Sequence, residues 1–241
     1  MAQEDEGKID LSSIEGIRGT FTHNLELAAT IIMAAAAILT AWTAFQSAKW
    51  SGVQATSFSE AGASRTESTR FSTQAGQQTQ IDVTTFTSWL AALQDDFDAE
   101  RVDPPPSAAE YEPSPDTLSG FYFERFRDEF KPAVDAWLNT NPFSSADAPS
   151  SPFAMPEYQL EAAQMADNLQ TEAERSAQDA RDANQNSDDY VLTAVLAAMV
   201  IFFAGLSSKL MRPRNRMLTI ALAVVILVGT LIRVFSLPIE I

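Results

Sequence analysis

Three apolar runs stand out from a polar background, at residues 27–45, 190–206 and 217–235. A helix rises about 1.5 Å per residue and needs about 20 apolar residues to cross a hydrocarbon core, so each run predicts a membrane-crossing helix. Over the first run and beyond it, small residues recur at steps of three and four: Thr30, Ala34, Ala37, Ala41, Ala44, Ala48, Gly52, Ala55, Ser59 and Gly62. That spacing lays them on one seam of a continuous helix that leaves the membrane. Small residues let a second helix approach backbone to backbone, which is how helices associate where lipid gives no hydrophobic drive. The seam, with Ala34, Ala37, Ala41, Ala44, Ala48, Gly52 and Ala55 at its centre, is therefore expected to pack against another helix and to make the protein a homo-oligomer.

The polar stretch at 51–80 contains no proline and cannot form a core alone. A partner is expected at 157–189, where Ala162, Ala166, Leu169, Ala173, Ala177 and Ala180 again follow helical spacing. One segment leaves the membrane and the other returns, so the pair would be an antiparallel stalk. Between them, Phe86, Trp89, Leu90, Leu93 and Phe97 make one aromatic helical face. Phe123, Phe126, Phe130, Val134 and Trp137 make a second, on a helix expected over 118–138 with a break near Phe130, because Pro132 removes a backbone donor. Packing these two faces together gives a small head, with Phe143, Phe153 and Met155 pinning the connection that leads to Pro156 in the first turn of the returning helix.

The expected fold class is thus an all-α membrane protein: three transmembrane helices, a long antiparallel helical stalk and a small helical extracytoplasmic head. In chain order this gives an N-terminal cytoplasmic tail (1–24), transmembrane helix 1 (25–50), an ascending stalk helix (51–80), the head with Pro-rich loops (81–156) and a descending stalk helix (157–189). Transmembrane helix 2 (190–208), a basic cytoplasmic loop (209–216), transmembrane helix 3 (217–237) and a C-terminal end (238–241) follow. Lys209, Arg212, Arg214 and Arg216 set the orientation, because short loops rich in Lys and Arg stay in the cytoplasm. By parity, residues 51–189 lie outside a bacterial inner or plasma membrane. Trp42, Lys49 and Trp50 read as interfacial anchors at the outer edge, with Gln46 between them facing water. Glu26 and Arg233 sit at the two ends of the membrane runs.

Charge sharpens the functional reading. The 241 residues carry a formal net charge of −16, and residues 49–189, with 25 Asp and Glu against 9 Lys and Arg, account for all of it. Nucleic acid is excluded as a partner, since phosphate contacts need clustered cations. With no cysteine and one histidine, His23, the chain has no thiolate or multi-histidine metal centre and no disulfide. Asp95, Asp96, Asp98 and Glu100 form the densest acidic piece, but an EF-hand beginning at Asp96 would need Gly and Glu where Arg101 and Ser107 stand. No phosphate loop or nucleophile elbow occurs, so neither an enzyme nor a cofactor is expected. The expected function is a non-enzymatic integral membrane protein that self-associates in membrane lipid and presents an acidic stalk and head to a protein partner. The alternative is a homo-oligomeric channel or transport subunit whose acidic outer region forms a vestibule.

Overall fold

A computed structural model describes residues 11–102, 111 and 113–241; residues 1–10 of the expected N-terminal tail and Pro104 to Pro106 lie outside the described residues. The described chain is all-helical: α1 (Leu11–Asp98), α2 (Leu118–Glu124), α3 (Lys131–Leu138), α4 (Glu161–Ser207) and α5 (Pro213–Ser236), with a single 3₁₀ turn at Pro152–Ala154. Helices α1, α4 and α5 are each long and apolar enough to cross a membrane. The first apolar run, the polar stretch after it and the first aromatic face are all parts of α1, which continues for 88 residues. The chain divides into two compact units, one made of Met1–Ser59 with Ala177–Ile241 and the other of Glu60–Ser176.

In the first unit, α1, α4 and α5 meet over small side chains. Ala36, Val200, Ala204 and Ala223 form one buried cluster, and Leu39, Ala197 and Val234 form another. Alanine at the contact lets the helix backbones approach closely. Five hydroxyls in the apolar segments, those of Thr30, Thr40, Thr193, Thr219 and Thr230, each donate to a carbonyl one turn back on their own helix, at 2.7 to 2.9 Å.

The second unit holds the aromatic core. Phe86, Trp89 and Leu93 of α1 pack with Phe126, Phe130, Ala133, Val134, Trp137 and Leu138, and Phe153 stacks on Phe130 at 5.1 Å. Trp137 donates to Pro149 O at 2.7 Å and meets Phe143 edge-on, which ties the loop after α3 to this core. Alongside, Ser68 Oγ donates to Ala166 O at 2.8 Å, while Ala75 packs with Leu160 and Ala162. Residue numbers rise along α1 as they fall along α4, so these stretches run antiparallel. Of the alanine series on α4, Ala162, Ala166, Ala173, Ala177 and Ala180 are all buried, and Leu169 is half-buried.

Two helices replace the one expected over 118–138. The interruption spans residues 125–130, and Pro132 falls in the first turn of α3, where its missing donor costs no helix bond. α2 starts on Thr117, whose side chain accepts from Gly120 N at 3.1 Å. A Cβ at Gly120 would lie 1.9 Å from the Ser114 carbonyl oxygen, so this turn closes only over glycine. Pro156 does not occupy the first turn of the returning helix: it lies in a turn that Tyr158 N closes on Met155 O at 3.0 Å, and α4 begins five residues later, after Tyr158 and Leu160 have packed into the buried clusters.

Candidate functional site

The polar contacts of the first unit gather at the two ends of its apolar segments. At the end where α5 finishes, Gln46 is fully buried, and its amide makes a reciprocal pair with the Glu240 backbone: Nε2 donates to Glu240 O and Oε1 accepts from Glu240 N, both at 3.0 Å. This corrects the water-facing reading of Gln46. A buried amide needs both its donor and its acceptor satisfied, and an extended backbone supplies the matching set. Trp50 Nε1 and Tyr190 OH both donate to Pro238 O, at 3.1 and 3.0 Å. Residues 237–240 therefore form a strap across α1 and α4. Next to it, Ser187 Oγ lies 3.0 Å from both Ser47 Oγ and Ser51 Oγ. Arg233 pairs with Asp189 at 2.6 Å. Of the expected interfacial anchors, Trp50 is a hydrogen-bond donor to this strap, Trp42 stays exposed against Phe45, and Lys49 is half-buried.

At the other end, Arg216 is buried in the first turn of α5 and reaches Glu26 of α1 at 3.3 Å. Lys209, Arg212 and Arg214 are exposed around it. The two ionisable groups at the ends of the apolar runs thus have partners on neighbouring helices, Glu26 with Arg216 and Arg233 with Asp189. Ala34, Ala37, Ala41, Ala44, Ala48, Gly52 and Ala55 are all exposed, and a Cβ at Gly52 would meet nothing within 4 Å. The face of α1 that packs inside this unit is a different one, carrying Ala29, Ala36, Leu39, Thr43 and Gln46. An apolar groove of about 470 Å³ lies beside the exposed stripe, lined by Ile38, Leu39, Trp42, Leu231, Val234 and Phe235 among others.

In the second unit the acids are unequal. Asp82, 1 % exposed, accepts both arms of Arg127 at 3.0 Å and the Tyr158 hydroxyl at 3.1 Å. Arg127 also reaches Glu129 at 2.6 Å, and Glu129 caps α4 by accepting from Glu161 N at 3.2 Å. The hydrogen bond from Arg127, with that from Glu161, holds the Glu129 carboxyl below its ordinary value. Asp96 also points inward, accepting from Ser119 N at 3.1 Å and Arg101 Nε at 2.8 Å. Burial alone would raise its pKa, but these hydrogen bonds outweigh it and leave the value lowered. Asp96 is thereby removed from any exposed acidic surface that Asp95 and Asp98 form. Phe123 and Phe126 belong to the core, whereas Phe121 is exposed beneath the Arg125 guanidinium, 3.4 Å from its ring centroid.

Among the described residues, no group of three or more His, Asp or Glu side chains is placed to hold a metal ion. Compared with protein families, curated proteins and solved structures, the chain matches none of them.

Proposed function

We propose that this chain is a non-enzymatic integral membrane protein that associates with itself through the small-residue stripe of α1. In this reading residues 51–189 form an acidic stalk and head on the extracytoplasmic side of a bacterial inner or plasma membrane, where the head meets a protein partner. The observation that carries it is the division of α1 into two faces: the packing inside the chain uses Ala36, Leu39, Thr43 and Gln46, while Ala34, Ala37, Ala41, Ala44, Ala48, Gly52 and Ala55 stay open. A glycine inside a helix costs about 1 kcal/mol relative to alanine. Gly52, open to its surroundings, is accounted for by a neighbour outside the chain. A channel has less support, because the threonines available to line a wet path are bonded to their own helices.

Ala41→Leu and Ala48→Leu are expected to break the association, since overfilling a close helix contact costs roughly 1 to 3 kcal/mol. Ile38→Leu, on a neighbouring face, is expected to leave it intact. Sedimentation in detergent distinguishes the outcomes; wild-type particle size and melting in both alanine variants rules the interface out.

The orientation follows from the basic turn and is open to direct test because the chain has no cysteine. Ser145→Cys in intact cells should react with a membrane-impermeant thiol reagent, and Asn215→Cys should not. The reverse pattern of labelling would invert the topology.

A further inference from the structure

The turn from α4 to α5 brings together four cations, and Arg216 stands apart from the other three. Its side chain keeps 8 % of its accessible surface, and its Nε and Nη2 donate no hydrogen bond among the described residues. Its one acidic partner among the described residues, Glu26, has Oε1 3.3 Å from Nη2 and is itself mostly exposed, at 60 %. A buried guanidinium with two unmade bonds is an uncommon arrangement, because buried donors find acceptors. The same turn carries a second opening for negative charge. Arg212 precedes α5 without a side-chain cap, which leaves the positive end of the helix dipole uncompensated. A helical side chain leans toward the N-terminus of its own helix, so Arg216 is carried on the same first turn whose Arg214 N–H, next to Pro213, opens the helix.

We propose that this turn binds a phosphate group, that of an anionic lipid headgroup, with Arg216 as its bidentate donor and Glu26 swung aside to admit it. A phosphate offers two oxygens to the guanidinium plane and a third to the helix end, which a lone carboxylate does not. Its depth favours a lipid source: Arg216 directly precedes the apolar run at 217–235, and Glu26 directly precedes that at 27–45, so both lie at headgroup level. Lys209, Arg212 and Arg214 draw anionic lipid toward the turn from a distance. Glu26 competes with the ligand for Arg216 and repels it.

The test uses the full chain in detergent, with retained lipid read by native mass spectrometry after addition of phosphatidylglycerol or phosphatidylcholine. The wild type should retain phosphatidylglycerol in preference. Arg216→Gln should lower that retention about tenfold, the factor expected for one charge-assisted fork. Arg216→Lys keeps the charge but loses the planar fork, and should lose retention with an unchanged melting temperature. Glu26→Gln removes the competitor and should raise retention. Displacement of the lipid by millimolar inorganic phosphate would identify free phosphate as the source, and resistance to it would identify the lipid. Wild-type retention in both Arg216 variants, or equal losses in Glu26→Gln and Arg216→Gln, overturns the site and leaves the pair a structural link. Neither result bears on self-association through α1.

Discussion

Arg127→Ala is expected to destabilise the second unit by about 3 to 5 kcal/mol, the cost of leaving one member of a buried ion pair without its counter-charge. The loss falls on Asp82, which is 1 % exposed and would keep only the Tyr158 hydroxyl. It also releases Glu129, whose other oxygen caps α4. A domain is stable by only about 5 to 15 kcal/mol, so one substitution removes a large part of the margin. Hydrogen exchange of the 60–176 amides, in the full chain in detergent, measures the effect. Asp82→Ala with Arg127→Ala removes both charges and should be less damaging than the two single losses added together. Strict additivity would show that the two groups do not interact.

Glu129 of this cluster and Asp96, held by Arg101 and Ser119, set the response to acid. Glu129 and Asp96 both have folded-state values below their ordinary ones. A lowered carboxyl contributes stability that is complete above its unfolded value and is lost as pH falls through the folded one. Protection of residues 60–176 should therefore be level near neutral pH and decline on acidification below roughly pH 4. In Arg127→Ala the Glu129 component loses its largest cause and keeps only the hydrogen bond from Glu161, so the decline over that window should be shallower. An equally steep decline in the variant would remove Arg127 as the cause.

Much of this architecture is legible in the sequence because it rests on periodicity. The alanines of α4 and the first aromatic face, on α1, repeat at helical spacing and are buried, whereas the second aromatic set reaches the core from two short helices and the break between them. Pro132 is legible as an interruption, since a proline ring excludes a helix interior whatever surrounds it. The length of the break is not, because it depends on how Phe126 and Phe130 seat in the core. Position on α1 is ambiguous for a similar reason. Ala29 and Ala36 are as small as Ala34 and Ala37, so size alone does not tell the face that packs inside the chain from the one left open. The strap at residues 237–240 escapes sequence reading altogether, because Gln46 meets a backbone 194 residues away and backbone groups carry no sequence signature. Asp82 is one acid among many until Arg127, 45 residues further on, is folded against it.

Trp89→Ala is expected to have an effect as large as the loss of Arg127, about 3 to 5 kcal/mol, through packing rather than charge. Trp89 is completely buried, with Phe86, Tyr111, Phe123 and Phe126 around it at ring separations of 5.6 to 5.9 Å. Its indole N–H also donates to Tyr111 OH at 3.0 Å. Removing the ring leaves a cavity bounded by rigid aromatics from α1 and from residues 111–126, and rings already packed on one another have little freedom to fill it. The hydrogen bond is the smaller part. Trp89→Phe keeps most of the volume and loses the donor, so it should cost about 1 kcal/mol plus a modest packing term. Trp42→Ala supplies the control, since that ring is 40 % exposed in the first unit. Thermal unfolding of the three variants, followed by near-ultraviolet circular dichroism, should rank them with Trp89→Ala far below Trp89→Phe and Trp42→Ala closest to wild type. If Trp89→Ala melts with Trp42→Ala, the aromatic cluster does not hold the second unit together.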